Sequence, residues 1–309
     1  MVYGATLKPH GNAHRGRPGR VVETVGRRVR VTDSDGERLC FLSGQRAVVG
    51  DEVTWVEAQG EGGKLIQIAT RRNLLQRVDA RGEEQVLAAN LAGLLVCVAA
   101  VEPAFQASLL DRYLVAASQE KLAAVIVVTK TDLGVPESVE EELRVRAALG
   151  YPILRISNPT GAGLDELRAY IASSDHTGPW ALVGHSGVGK TSLISALLPA
   201  QDVGPIGDIS EYWGAGKHTT THTRLFALPG GGEIADSPGI RGFTPAGVNP
   251  ESVRDHFPGM HALGCKYRDC LHKIGEEGCV ADEKSDPSLL RSYRDLLEQA
   301  TGVWKRKSR

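Results

Sequence analysis

The sequence contains no apolar run long enough to cross a lipid bilayer. Its two longest, "LAGLLVCVAAV" (91–101) and "LAAVIVV" (122–128), are far shorter than the roughly 20 residues that a spanning helix needs. The first 20 residues lack the apolar segment of a secretory signal. These absences disfavour membrane-embedded and exported classes, so we expect a cytoplasmic protein without a membrane partner.

The chain also lacks an excess of charge of either sign. Its 36 Lys and Arg residues against 37 Asp and Glu residues give a formal net charge of −1 over 309 residues, which excludes a protein that is basic throughout. Positive charge is concentrated in residues 8–30, with seven basic residues against one glutamate, and in the terminal "KRKSR". Solvated tails carry such charge too, so these stretches alone do not establish RNA binding.

Cysteine is scarce, but three of the five cysteines lie close together beside a histidine. In a reducing compartment, clustered cysteines indicate a metal site before a disulfide. Three thiolates and one imidazole suit a tetrahedral Zn²⁺ with no open position, which is a structural site. Three unrelated loop cysteines are the alternative, and their density disfavours it. The predicted zinc ligands are Cys265, Cys270, His272 and Cys279.

Further predictions concern the two remaining cysteines, the basic residues near the cluster and the folding of the region that contains it. Cys40 and Cys97 lie in apolar strand patterns and are predicted to be buried hydrophobic residues. Lys266, Arg268 and Lys273 form a small basic surface near the cluster that suits phosphates. The segment after residue 249 has little apolar content for a core of its own, so we expect the metal to supply its folding energy.

The hydrophobic pattern changes twice along the chain. Short strand patterns between turns such as "DSDG" predict an N-terminal β-barrel. From about residue 90, short apolar runs alternate with helical patterns, which predicts an α/β fold with a doubly wound parallel sheet. A last helix is predicted from Pro287, with Asp286 as its candidate cap. The expected parts are a flexible basic tail (1–19), the barrel (20–75), a linker (76–89), the sheet domain (90–248) and a helical zinc-binding domain (249–309).

The stretch "ALVGHSGVGKTSL" (181–193) contains the spacing G-x-x-x-x-G-K-T of a phosphate-binding P-loop. A predicted strand precedes it and a predicted helix follows, as the motif requires; an accidental glycine-rich turn is the alternative. Backbone N–H groups and the helix start would hold phosphate oxygens, Lys190 would reach the β- and γ-phosphates, and the Thr191 hydroxyl would bind Mg²⁺. The predicted contact set is Gly184, His185, Ser186, Gly187, Val188, Gly189, Lys190, Thr191 and Ser192.

Two stretches at predicted strand ends suit recognition of guanine. In "TKTD" (Thr129, Lys130, Thr131, Asp132), the carboxylate accepts hydrogen bonds from the guanine ring N–H and exocyclic amine. Adenine has an acceptor at that ring position, so Asp132 favours GTP and GDP over ATP. The Lys130 stem lies along the base in this interpretation. In "ISNPTG", the backbone at Ser157 would contact the guanine carbonyl.

A third stretch, "DSPG", runs from Asp236 to Gly239 after a predicted strand. Asp236 would hold Mg²⁺ through water, and Gly239 would sense the γ-phosphate. Alone, "DSPG" is an ordinary turn and "TKTD" an ordinary strand end; beside a P-loop they favour a guanine-nucleotide site. The base-reading stretch precedes the P-loop, which predicts a circular permutation. The segment after "DSPG" then leads directly into the cysteine region.

Taken together, the barrel, the permuted nucleotide motifs "GHSGVGKT", "GAGKHTTTHT" and "DSPGIRGF", and the stretch "CKYRDCLH" resemble the RsgA (YjeQ) family of GTPases that depend on the small ribosomal subunit. The resemblance covers residues 20 to about 300. It implies GTP hydrolysis stimulated by the 30S subunit during its late maturation, with nucleotide state controlling binding and release. It also implies a monomer whose partners are GTP, GDP, the subunit and its rRNA.

The resemblance further implies an OB-fold barrel, a class that binds nucleic acid through charged grooves and stacking aromatics. This barrel has only Phe41 and Trp55 as obvious aromatics, and Trp55 also fits a core position, so RNA binding by the barrel stays open. Two departures from other sequences stand out. Thr129 replaces the asparagine of most GTPases, which weakens a tie between loops, and "EEGC" replaces Glu-Pro-Gly-Cys near a zinc ligand.

The residue that positions the attacking water is not evident. Ras-type enzymes use a glutamine after the D-x-x-G glycine, but Ile240 stands there. In "KHTTTHT", His218 is the candidate for orienting water and Thr220 the candidate for Mg²⁺ and γ-phosphate contact; a surface histidine without that role is the alternative. The predicted catalytic set is Lys190, Thr220 and His218, and the predicted magnesium set is Thr191, Thr220 and Asp236.

Two other functions compete with a GTPase. One is an RNA-binding module with a barrel and a zinc site, whose nucleotide site only stabilises the fold; turnover with and without ribosomal subunits distinguishes the two. An ATP-dependent kinase is disfavoured by "TKTD" and by the lack of a candidate phosphoryl acceptor site.

Overall fold

The computed structural model describes residues 16–58, 62–79, 81–173, 177–198, 223–236, 243–261 and 263–307. They begin with a five-stranded barrel that closes because β1 pairs with both β2 and β4, while β3 and β5 run parallel. Val21, Val31, Trp55 and Leu65 are buried in its centre. The strands are β1 (Arg17–Val25), β2 (Arg28–Asp33), β3 (Gly36–Phe41), β4 (Glu52–Glu57) and β5 (Gly63–Ile68).

A two-stranded hairpin of β6 (Leu74–Val78) and β7 (Glu84–Ala89) connects the barrel to the main sheet. The main sheet has the order β10-β9-β8-β11-β13-β12, in which only the edge strand β12 is antiparallel. Its strands are β8 (Gly93–Ala99), β9 (Ala123–Thr129), β10 (Ile153–Arg155), β11 (Trp180–Gly184), β12 (Arg224–Ala227) and β13 (Glu233–Asp236).

Helices cover both faces of this sheet. Along β8, Leu94 and Val96 face one hydrophobic cluster and Leu95 and Cys97 face the other, because successive strand residues point to opposite faces. The first cluster contains α1 (Ala107–Gln119) and α2 (Glu137–Ala148), and the second contains α3 (Leu164–Ala172) and α4 (Lys190–Leu197). The predicted doubly wound fold is confirmed.

The C-terminal region folds around α5 (Pro250–His256), α6 (Ala281–Lys284) and α7 (Pro287–Lys307). Asp286 caps α7, accepting hydrogen bonds from the amides of Ser288 and Leu289, as predicted. The expectation that this region lacks a core of its own is wrong. Its buried residues form a hydrophobic cluster that also takes in Val115 of α1; they are Val248, Val253, Phe257, Met260, Ala281, Leu289, Leu290, Tyr293, Leu296, Leu297 and Ala300.

A buried ion pair lies beneath the junction of α1, α2 and α7. Arg146 of α2 donates to both carboxylate oxygens of Asp111 on α1, at 3.1 and 2.8 Å, and both side chains are fully buried. Arg146 also pairs with Glu142, which accepts a 2.8 Å hydrogen bond from Ser288 on α7. This network attaches the C-terminal helix to the sheet domain through polar as well as apolar contacts.

The barrel and the sheet meet at the edge strand β12. Glu23 of β1 lies opposite Arg224 of β12, and the Thr24 amide donates to the Thr223 carbonyl at 3.1 Å. Arg20 forms an ion pair with Glu233. Within the described ranges, no helix is both long enough and apolar enough to cross a membrane.

Candidate nucleotide and metal sites

The P-loop lies between the end of β11 and the start of α4. Gly184, Gly187 and Gly189 all have positive φ values, of 141°, 84° and 96°. At Gly184 an added Cβ would lie 2.2 Å from the Cys97 carbonyl oxygen of neighbouring β8, so only glycine fits that position. Gly189 forms the N-cap of α4. The local chain therefore has the strand–turn–helix geometry that exposes backbone N–H groups to a phosphate.

Lys190 and Asp236 are two buried charges at this end of the sheet. The Lys190 ammonium donates to the carbonyls of Gly184 and His185 at 2.8 and 2.9 Å. Burial lowers its pKa, against the opposing effects of Cys97 and Asp236. Burial raises the pKa of Asp236 to about 7, and Lys190 opposes that rise. A buried carboxylate of this kind is stabilised in its charged form by a cation, as a magnesium ligand requires.

Thr129 ends β9 and contacts the P-loop directly. Its hydroxyl lies 2.5 Å from the Val188 carbonyl oxygen and 3.2 Å from that of Val98. The loop tie that the sequence led us to expect to be weakened is therefore made by threonine itself. Thr129 is fully buried at the end of β9.

The two predicted base-reading stretches also meet. The buried Ser157 hydroxyl donates to Asp132 Oδ1 at 2.8 Å, and the Thr131 amide donates to the Ile156 carbonyl at 3.3 Å. Asp132 itself is exposed. One carboxylate oxygen is thus fixed by Ser157 while the side chain faces solvent, as a base receptor must.

Two further groups contribute to this site, the Glu102 carbonyl and the Asn158 side chain, and neither was singled out from the sequence. Lys130 donates to the backbone carbonyl of Glu102 in the β8–α1 loop, and Asn158 Nδ2 lies 3.4 Å from the Gly189 carbonyl. Asn158 belongs to the quoted "ISNPTG" stretch, so its position carried a signal. The Glu102 contact is made by a backbone carbonyl, and the pattern of side chains gives no signal for such a contact.

The remaining residues predicted to contact the nucleotide differ in solvent exposure, and three of them lie outside the described residues. Ser186, Gly187 and Ser192 are exposed, His185 and Thr191 are half-buried, and Val188 is buried. His218, Thr220 and Gly239 lie outside the described residues.

The four predicted zinc ligands converge on one point. Their ligand atoms lie within 4.8 Å of one another. His272 Nδ1 lies 3.5 Å from the Sγ atoms of Cys265 and Cys270, and 3.6 Å from that of Cys279. Tetrahedral bonds of about 2.3 Å to sulfur and about 2.0 Å to nitrogen separate such ligands by about 3.5 Å. The arrangement therefore fits a zinc-sized ion.

A second layer of hydrogen bonds holds these ligands. His272 Nε2 lies 3.1 Å from the Met260 carbonyl, which leaves Nδ1 to face the sulfur atoms as a metal ligand. The Glu276 carboxylate accepts from the amides of Leu271 and Lys273 at 2.9 to 3.1 Å and fixes the loop between ligands. Glu276 was not recognised as a site residue from the sequence.

Comparison with known proteins bears on both sites. The family model described as "RsgA GTPase" matches residues 68–245. A Pseudomonas aeruginosa protein named small ribosomal subunit biogenesis GTPase RsgA is 38% identical over 292 residues, which cover 90% of this chain and 84% of that protein. The protein of that name from Azotobacter vinelandii is 38% identical over 311 residues, covering 95% and 87%. The chain belongs to the RsgA GTPase family.

Solved structures agree with this assignment. The crystal structure of YjeQ from Thermotoga maritima is 27% identical, covers 92% of this chain and 98% of its own, and superposes with a TM-score of 0.69. YloQ, titled a circularly permuted GTPase, matches at 22% identity with a TM-score of 0.64 over 95% and 98% of the two chains, and supports the fold alone. As a member of the RsgA GTPase family, the chain is a GTP-hydrolysing enzyme.

Glu277 and the two barrel aromatics, noted beside the resemblance to the RsgA GTPase family, have defined surroundings. Glu277, in place of proline, accepts a 3.1 Å bond from Lys266 beside the zinc ligands, so the change adds a surface ion pair. Trp55 is fully buried, whereas Phe41 is half exposed, with the Arg28 guanidinium 5.6 Å from its ring centroid. The barrel thus offers one accessible aromatic.

Proposed function

We propose that this chain binds GTP and GDP at the P-loop and at Asp132, and hydrolyses GTP on the small ribosomal subunit during its late maturation. The observation that carries the proposal is the shared edge of the sheet: Thr129 contacts the P-loop at Val188, and Ser157 holds Asp132. These two contacts support phosphate and base recognition at one edge of the sheet.

Base selection follows from the Asp132 carboxylate. With one oxygen fixed by Ser157, the carboxylate is pre-oriented to accept from the guanine ring N–H and amine. Adenine would leave that charge unpaired against an acceptor, which is the costly arrangement. The Lys130 stem would line the base, since its ammonium is retained by the Glu102 carbonyl.

Phosphate binding would displace an existing contact. Lys190 now donates to the carbonyls of Gly184 and His185, and it would exchange them for β- and γ-phosphate oxygens. Thr191, Asp236 and Thr220 are the residues proposed to hold Mg²⁺, and Gly239 the γ-phosphate sensor. Bound Mg²⁺ would neutralise charge that develops on the phosphates. His218 is proposed to orient the attacking water.

The flanking regions would supply the contact with ribosomal RNA. Phe41 with Arg28 on the barrel, and Lys266, Arg268 and Lys273 around the zinc ligands, are groups that suit bases and phosphates. Zn²⁺ is proposed as a structural ion, one per chain. We propose that the chain is a cytoplasmic monomer with the parts 1–19, 20–75, 76–89, 90–248 and 249–309, and that its nucleotide state controls binding to and release from the subunit.

The decisive experiment is GTP turnover with purified ribosomal subunits. The relatives are named small ribosomal subunit biogenesis GTPases. If the small subunit stimulates this chain, phosphate release should rise with small subunits and stay at its basal rate with large subunits. Turnover that is equal in both cases, or that is absent while GDP still binds, would contradict the proposal and favour a nucleotide site that serves only the fold.

A further inference from the structure

A tyrosine hydroxyl lies buried behind the P-loop without a hydrogen bond of normal geometry. Tyr113, on the sheet side of α1, is only 1% exposed, and among the described groups its hydroxyl has no partner within normal hydrogen-bond distance and angle; the Gly184 amide is the group that acts on it. A buried hydroxyl of this kind lowers stability, whereas phenylalanine would fill the same space without that cost. The hydroxyl therefore calls for a role beyond packing.

The polar group that faces Tyr113 is the backbone of the first P-loop glycine. Tyr113 and Gly184 line the same small cavity, together with Cys97, His185 and Val188. Burial raises the pKa of Tyr113, and the Gly184 amide opposes that rise. In the structure the Lys190 ammonium donates a hydrogen bond to the Gly184 carbonyl. Phosphate binding would draw Lys190 away from that carbonyl.

The ring of Tyr113 is held by Phe243. Phe243, fully buried, stacks on it with ring centroids 4.3 Å apart and an interplanar angle of 22°. Val115, two residues further along α1, belongs to the C-terminal hydrophobic cluster. One helix thus contacts the P-loop, Phe243 and the C-terminal region.

We propose that Tyr113 is a positioning residue for the P-loop, whose hydroxyl bonds to the Gly184 backbone when nucleotide is bound and whose ring is set by Phe243. Phe243 then acts on the phosphate-binding loop through the stacked pair. This inference rests on the nucleotide site of the proposed function.

Tyr113→Phe tests the hydroxyl because it keeps the ring, the stack and the packing. We expect release of a fluorescent GDP analogue to become about 5- to 10-fold faster, the range of one hydrogen bond. The thermal midpoint should stay unchanged or rise, because an unpaired buried hydroxyl is removed. Tyr151→Phe is the matched control, since Tyr151 packs against the same hydrophobic cluster, and it should release GDP like the parent.

Phe243→Leu tests the stack. It should also speed GDP release, and the double variant should release GDP no faster than the faster single variant, because both act through one contact. GDP release by Tyr113→Phe at the parent rate, or a loss of affinity matched by a loss of thermal stability, would overturn the positioning role alone. A parent protein that binds no GDP would overturn the proposed function, and this inference with it.

Discussion

Ser157 and Asp132, 25 positions apart in the sequence, are joined by a 2.8 Å hydrogen bond from the serine hydroxyl to the aspartate Oδ1. Ser157 is almost fully buried, whereas Asp132 is exposed. A buried donor thus fixes the orientation of an exposed carboxylate before any ligand arrives. Pre-orientation of this kind reduces the entropy cost of binding.

Asp132→Asn should change the preferred base from guanine to xanthine. Xanthine carries a carbonyl where guanine carries its amine, so an asparagine amide can donate where the carboxylate accepted. We expect GDP affinity to fall by roughly 100-fold, about 3 kcal/mol, for the lost charge-assisted hydrogen bonds. Calorimetric titration with GDP, ATP and xanthosine diphosphate measures this.

Ser157→Ala is the matched control for that change. It leaves the carboxylate in place but removes its fixed hydrogen bond, so GDP should bind a few-fold more weakly without any gain for xanthosine diphosphate. Equal affinity of the parent for ATP and GDP would contradict the role given to Asp132.

Lys190→Ala should abolish nucleotide binding or turnover. Lys190 is the P-loop lysine, and its ammonium already lies beside the proposed phosphate site. The substitution also removes the positive charge that opposes the rise in the pKa of Asp236. The fold should persist, since the two carbonyls that Lys190 contacts lie at the end of β11 and in the loop after it. Lys284→Ala, at an exposed position of α6, is the control and should bind GDP like the parent. Measurable GTP turnover by Lys190→Ala would rule out its phosphate role.

The sequence was informative where function requires a local pattern. The P-loop and "TKTD" each follow a predicted strand, and the ends of parallel strands share one edge, so the sequence predicts that these two stretches meet. Metal geometry limits the spacing of ligands, so the spacing of the three cysteines and the histidine predicts that they meet one another at a separate site. Contacts between distant surfaces have no such signature. The pairing of β1 with β12, the stack of Tyr113 on Phe243 and the apolar cluster around Val115 each depend on how separate elements dock, which composition and periodicity do not encode.

His218→Ala and Thr220→Ala should lower turnover stimulated by the small subunit while GDP affinity stays near normal. Both residues are proposed to act on the γ-phosphate side, which GDP lacks. Thr191→Ala should instead raise the Mg²⁺ concentration needed for half-maximal turnover. If His218→Ala hydrolyses GTP at the parent rate with subunits present, another group positions the water.

Arg146→Met should destabilise the protein by about 3 to 5 kcal/mol, because it leaves the fully buried Asp111 carboxylate without its partner. Urea unfolding followed by circular dichroism measures the loss. Arg144→Met on the same helix is the matched control: Arg144 is exposed and pairs with exposed Glu137 and Glu141, so its loss should cost less than about 1 kcal/mol. Similar costs for the two variants would mean that the buried pair contributes nothing beyond a surface pair.

Cys270→Ala should release the zinc ion and loosen the loop that carries the ligands. Because the C-terminal region has its own hydrophobic cluster, α7 should stay docked on α1, so the damage should be confined to the stretch around residues 263–280. Limited proteolysis should cut there first, while GDP affinity should stay near the parent value. Stimulation by small subunits should fall, because the basic side chains around the ligands lose their fixed positions.

Cys40→Ala is the control for this change, since Cys40 is buried in the barrel and takes no part in the cluster. Elemental analysis should find one zinc per chain in the parent and in Cys40→Ala, and none in Cys270→Ala. Full stimulation after zinc loss would show that the ion is dispensable for coupling to the subunit. Protection of α7 from proteolysis in Cys270→Ala would separate metal-dependent folding of the loop from core-dependent docking of the helix, whereas cleavage throughout residues 249–307 would mean that the apolar cluster cannot hold the region without the metal.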